Sequence, residues 1–141
     1  MRALGLDLGT KTLGIAISDS LKIIASGIEN FLYSNNDFYE CINQIKKIFD
    51  KYQNDIDTIV LGYPLNINGT KNERTLFVED FHKKLNNVFP KMKIILSDER
   101  YTTRIATGML KNYSLKNSQI KKVKDKMSAI VILQSWLDLK Y

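Results

Sequence analysis

"LGLDLGTKTLGIAISD", residues 4–19, reads as two short apolar strands around a tight turn. Its oddity is Asp7, an acid set among Leu, Gly, Ala and Ile. Such an acid is costly to bury unless it is paired, hydrogen-bonded or bound to a metal. Residues 3–8 and 12–18 flank the turn Gly9-Thr10-Lys11. That connection is too short for a parallel crossover, so the two strands should form an antiparallel hairpin.

Working outward, residues 22–33 read as a third strand. Asp37 and Glu40 have capping-box spacing before a helix that carries Phe38, Ile42, Ile45 and Phe49 at helical intervals. "DTIVLGYP" at 57–64 is a short buried strand ended by Gly62 and Pro64. Thr70 and Glu73 form a second capping-box pattern, ahead of a helix with Leu76, Phe77, Phe81 and Leu85. "MKIILSDER" at 92–100 is a further strand, followed by a short helix over 102–111 and a longer one from about 117 to 138. Three strands followed by alternating helices and strands predict an α/β fold with a mixed sheet, as one domain over 1–141.

The chain has 141 residues, 44% hydrophobic and 26% charged, the balance of a globular protein. No apolar run approaches the roughly 20 residues of a membrane span, and the N-terminus has no signal-peptide pattern, so the expected location is the cytoplasm and no membrane partner is expected. The lone cysteine, Cys41, excludes an internal disulfide and a Cys-rich zinc site, and its helical position predicts core packing. A net charge of +6 and a pI of about 9.3 suit an anionic partner. The excess of 17 Lys over 4 Arg, with abundant Asn and Ile, is also what AT-rich coding produces, which weakens that signal.

In an open α/β sheet, ligands bind beyond the carboxyl ends of the parallel strands. Asp7, Gly62-Tyr63-Pro64 and Asp98-Glu99 all lie at such ends. Carboxylates gathered there repel one another unless a cation holds them, and hard divalent ions prefer oxygen donors. In the last helix, Ile120, Val123, Met127, Ile130, Val131 and Leu137 share one face. Asp125 lies almost opposite, in line with Ala129, Ile132 and Trp136. Spacing alone favours the plainer reading of Asp125, a solvated charge in "KKVKDK". Asp98 is an alternative ligand to Glu99, or a cap for the next helix. Asp19 reads as a turn residue and His82 as a surface residue, so no Ser/His/Asp or Cys/His arrangement can be built. Neither G-x-G-x-x-G nor G-x-x-x-x-G-K-[ST] is present.

"GLDLGTKTLGIAISD" at 5–19, "VLGYPLNINGT" at 60–70, "DERYTT" at 98–103 and "KKVKDKMSAIVILQSWL" at 121–137 together resemble the YqgF family, over essentially the whole chain and in order. That family is associated with pre-16S rRNA processing and with Holliday-junction resolution. The resemblance implies an RNase H-like fold: a five-stranded mixed sheet, strand 2 antiparallel, flanked by helices. It implies that Asp7, Glu99 and Asp125 are a catalytic triad holding one or two Mg²⁺ or Mn²⁺ ions, with Asp7 bridging. The implied activity is that of a metal-dependent phosphodiesterase processing the 5' end of pre-16S rRNA by in-line displacement.

Nucleic-acid contacts would come from Lys11, from Asn66 and Asn68 in the 62–69 loop, and from Arg100, Arg104, Lys121, Lys122, Lys124 and Lys126. Loop formation explains the asparagines equally well, and a solvated face the lysines. Ser128, Thr107 and the Lys-rich "IKKVKDK" depart from the family pattern without removing a proposed ligand; Lys binds phosphate less well than Arg in two-point contacts. Partners would be structured RNA or a ribosomal precursor, with branched DNA as the alternative, and the chain a monomer or homodimer. Two other readings remain: a non-catalytic, ribosome-associated RNA-binding protein, and the first phosphate motif of an actin-like ATPase or sugar kinase, which needs two such domains.

Overall fold

The computed structural model describes residues 1–34, 37–100 and 117–139, with only the backbone described over 117–126. Strands β1 (Arg2–Leu8), β2 (Thr12–Ser18) and β3 (Ala25–Leu32) precede helix α1 (Tyr39–Lys51). Strand β4 (Ile56–Tyr63), helix α2 (Glu73–Val88), strand β5 (Lys93–Asp98) and helix α3 (Asn117–Leu139) follow. The five strands form one sheet in the order β3-β2-β1-β4-β5. β2 runs antiparallel to both β1 and β3, while β4 is parallel to β1 and β5. The expected mixed sheet and opening hairpin are both present. No described helix is long and apolar enough to cross a membrane.

Because side chains alternate across a strand, the sheet has two faces of different character. Leu4, Leu6 and Leu8 of β1, Leu13, Ile15 and Ile17 of β2, and Ile59 and Leu61 of β4 pack with α1 and α2 in the larger core. The opposite face carries Ala3 and Gly5, Gly14 and Ala16, then Val60 and Gly62. With so little side chain there, α3 lies close on the backbone. A Cβ built on Gly5 would stand 2.6 Å from the Leu133 Cβ and 3.0 Å from the Ala129 carbonyl oxygen.

Several local expectations are corrected. The third strand begins at Ala25, because Asp19 accepts from the Ile23 and Ile24 amides and Lys22 adopts a left-handed φ of 57° in the turn between. Asp37 and Glu40 form no capping box: Glu40 accepts instead from the Ser34 amide and hydroxyl. The chain enters α1 through Phe38, held at a φ of 66° with its ring packed 5.1 Å from Phe77 and 5.0 Å from Phe81. Burial of that ring offsets the strain of a left-handed aromatic residue.

The box that starts α2 is formed by Asn72 and Thr75, not Thr70 and Glu73. On α2, Leu76 is exposed and Val78 fills the core in its place. On α3, Ala129, Ile132 and Leu133 meet the sheet, with Leu137 buried one turn on. Ala129 and Ile132, in line with Asp125, thus face the strands together with Leu133, while Ile130 of the other face reaches Gly27 of β3. Cys41 is buried as expected, and burial, with the charge of Glu40, pushes its thiol up to about 12. The short helix expected over 102–111 lies outside the described residues.

Close approach of α3 makes a direct test. Gly5→Ala has no flexible neighbour to displace, so it should lower stability by about 1–3 kcal/mol, read from urea unfolding. An unchanged midpoint would mean that α3 rides higher on the sheet.

Candidate active site

Asp7 lies on the glycine-lined face, near the carboxyl end of β1. It pairs in register with Gly14 of β2, and the match of Leu6 with Leu61 sets Gly62 of β4 on its other side. Asp7 therefore has a glycine neighbour on each flanking strand. Glu99 follows β5, its amide donating to the Tyr63 carbonyl at 3.1 Å. The Glu99 carboxyl reaches back over Gly62, where an added Cβ would stand 3.0 Å from its Cδ. There it meets Asp7 in a side-chain hydrogen bond. Burial, reinforced by the charge of Asp7, pushes the Glu99 carboxyl up to about 8.

Asp98, the alternative ligand, is engaged elsewhere. It accepts from the Arg100 amide at 2.9 Å and from the Arg100 Nε at 2.8 Å, with Nη2 2.6 Å from Oδ2. These contacts hold its carboxyl below the usual carboxylate range. The remaining Arg100 nitrogen, Nη1, reaches the Ile67 carbonyl at 3.4 Å, bracing the loop between β4 and α2. In that loop the Asn66 amide group donates to the Thr70 hydroxyl while its oxygen accepts from Asn72. The Asn68 oxygen accepts from the Thr70 amide and hydroxyl. Gly69, at a φ of 85°, closes the turn. Both asparagines thus shape the loop, and Arg100 ties it to the end of β5.

Arg74, in the first turn of α2, went unrecognised in the sequence. Its Nη2 donates to the Leu8 carbonyl at 3.3 Å and stands 4.0 Å from Asp7 Oδ1. Together with Pro64, Ile67, Asn72, Glu99 and Arg100 it lines a cleft of about 360 Å³. Nothing in the apolar pattern of α2 marks it; the only signal is an arginine just after the polar loop.

Lys11 is exposed in the β1–β2 turn. Asp19 is the expected turn residue, its carboxyl lowered by the Ile24 and Ile23 amides, and His82 lies on α2 beside Asn86. Arg104 and the side chains of Lys121, Lys122, Lys124, Asp125 and Lys126 lie outside the described residues. Among the described residues no cluster of three potential metal ligands forms.

What is present is a pair of carboxylates brought together against their own repulsion, an oxygen-donor set that fits a hard divalent cation. In the metal-free protein a proton on Glu99 relieves the repulsion. Between pH 4.5 and about 8 the folded chain keeps that proton while the unfolded chain has lost it, so stability falls as pH rises through the window. Metal-free Glu99→Gln should flatten this decline and melt above wild type at the upper end, by up to a few kcal/mol of stability. Superimposable pH–Tm curves would separate Glu99 from Asp7.

Comparison with known proteins agrees with this architecture. A protein of Ureaplasma parvum serovar 3 named "Putative pre-16S rRNA nuclease" is 55% identical over 141 residues, covering 97% of this chain and 96% of the relative. A Mycoplasmopsis pulmonis protein of the same name is 44% identical over 139 residues, covering 98% and 93%. Among solved structures, Thermus thermophilus RuvC in complex with a Holliday junction substrate superposes with a TM-score of 0.61 at 12% identity, covering 99% of this chain and 95% of that one. That likeness shows the fold, the RNase H-like architecture of the resolvases. The model of the family described as "RuvX: Holliday junction resolvase" matches residues 1–139, and the chain belongs to that family.

Proposed function

We propose that this protein is a divalent-cation-dependent nuclease that trims structured RNA at the 5' end of pre-16S rRNA, in the cytoplasm. The observation that carries the reading is the Asp7–Glu99 pair, half-buried and held together across Gly62 at the carboxyl ends of the parallel strands. Family membership and the names of the full-length relatives supply the substrate class. A protein that only bound RNA would gain nothing from gathered carboxylates, which repel a phosphate backbone.

Asp7 and Glu99 would hold the cation, Mg²⁺ or Mn²⁺, with Asp125 as the third ligand. Helix register supports Asp125: it lies one turn before Ala129, whose Cβ is 3.4 Å from the Cβ position of Gly14, the cross-strand partner of Asp7. When bound, the cation supplies Lewis acidity toward a phosphate oxygen and favours ionisation of the attacking water. The chain contributes orientation. Glycines on both sides of Asp7 leave room beside its carboxylate, and the loop braced by Arg100 forms one wall of the cleft. Lys11, Arg104, Lys121, Lys122 and Lys124 would draw in the backbone of the nucleic acid by charge.

Cleavage of branched DNA is the second reading, favoured by the family description and by the fold shared with RuvC. Incubation with Mn²⁺ and either precursor rRNA or a four-way DNA junction, beside Asp7→Asn, decides between them. Asp7→Asn should abolish cleavage while leaving folding and RNA affinity near wild type. Lost folding with full activity in the surviving fraction would reassign Asp7 to structure.

Mg²⁺ or Mn²⁺ at a hundredfold excess over Kd should stabilise wild type by about 2.7 kcal/mol and leave Asp7→Asn unmoved. Equal shifts in the two proteins would place the ion elsewhere. Joint replacement of Lys121, Lys122 and Lys124 should weaken binding to all RNA sequences alike and flatten its salt dependence by roughly one unit of slope per contact. Unchanged affinity and slope would return those lysines to a solvated face.

A further inference from the structure

We propose that Arg74 is a substrate-contacting residue whose guanidinium grips a phosphate of the nucleic acid beside the Asp7–Glu99 pair. The inference rests on the nuclease reading and adds to it the group that offsets the charge of the incoming phosphate.

Three observations carry it. The first is position: Arg74 stands in the first turn of α2, lining the cleft that Glu99 also lines, with Nη2 4.0 Å from Asp7. The second is what its nitrogens do. Nη2 is anchored on the Leu8 carbonyl, and among the described residues Nη1 and Nε make no hydrogen bond. A guanidinium recruited only to neutralise a carboxylate closes to about 2.7–2.9 Å and pairs through two nitrogens. Arg100 does that with Asp98, at 2.6 and 2.8 Å, and is thereby committed to bracing the loop. Arg74 is held near the acids and keeps its fork available.

The third is exposure. The Arg74 side chain is 54% exposed, and an ion pair so solvated and so long adds little to stability. Fold stability is a weak reason for an arginine at this point.

The chemistry of the site supplies a better one. A phosphodiester approaching two carboxylates meets repulsion from both. In the transition state further negative charge gathers on the phosphate oxygens, where a fixed two-point donor is most effective. The planar fork of arginine matches those oxygens in a way the point charge of lysine does not. The backbone anchor on Leu8, next to Asp7, holds the guanidinium in register with the acids that flank the reacting phosphate.

The test uses Arg74→Ala and Arg74→Lys in the full-length protein, in two assays. In the first, each change is placed in the Asp7→Asn background, and binding to a pre-16S rRNA fragment is measured against salt without cleavage. Arg74→Ala should reduce the slope of log K against log[salt] by about 0.7–0.9 unit, and Arg74→Lys should retain the slope. In the second, single-turnover cleavage with Mn²⁺ should fall by about 10²–10³-fold in Arg74→Ala and by less in Arg74→Lys, with Tm near wild type in both.

Wild-type slope and wild-type cleavage in Arg74→Ala would overturn the inference. So would a drop in Tm with unchanged cleavage per folded molecule, which would make Arg74 structural. If wild type itself cleaves neither RNA nor a four-way junction, the nuclease reading fails. The salt slope would still decide whether Arg74 touches phosphate.

Discussion

Asp7 lies in β1 and Glu99 just past β5, strands that are not neighbours, and two carboxylates at hydrogen-bonding range repel unless a proton or a cation lies between them. β4 runs between β1 and β5, and a side chain at its residue 62 would part the two acids. Gly62 is the gap through which they meet: the Glu99 carboxyl occupies space that a Cβ at residue 62 would contest, along with the Ile132 Cδ1 at 2.6 Å. The rest of the site follows from that contact. Asp98 is turned the other way and caught by Arg100, Arg100 braces the loop, and the loop walls the cleft above the pair.

The same constraint explains the division of the sheet. One face is filled with leucine and isoleucine and needs two helices to cover it. The other is nearly bare and takes one helix at close range. A face lined with Gly5, Gly14 and Gly62 puts no side chain beside Asp7 on either flanking strand. It also sets how α3 lies, since Ala129, Ile132 and Leu133 interlock with that surface and Ile130 reaches Gly27 of β3.

Much of this was legible in the chain. The first two strands fall where their apolar runs and the tight turn between them put them, because both faces of this part of the sheet are covered. Asp7 stood out for its surroundings, and Glu99 was preferred to Asp98 only through the family resemblance. The choice turns on parity at a strand end: adjacent residues point to opposite faces, and spacing does not say where the strand stops. The capping boxes were misread because Thr70-x-x-Glu73 and Asn72-x-x-Thr75 satisfy similar hydrogen-bonding rules, and the loop geometry that selects between them is tertiary. Arg74 was invisible for the same reason, since its partners Leu8 and Asp7 lie more than 60 residues away along the chain.

The strand order also sets when the site comes into being. β1, β2 and β3 pair through short connections, so their contacts close early at little entropic cost. β4 joins β1 only after α1 has been made, and β5 can dock only on β4. On this topology Asp7 should enter the sheet before Glu99, beyond the fifth strand, is brought opposite it. During synthesis the two charges stay apart until residue 99 has been made, and the electrostatic burden of the carboxylate pair falls on the docking of β5. A change confined to that pair should therefore alter the unfolding rate more than the folding rate.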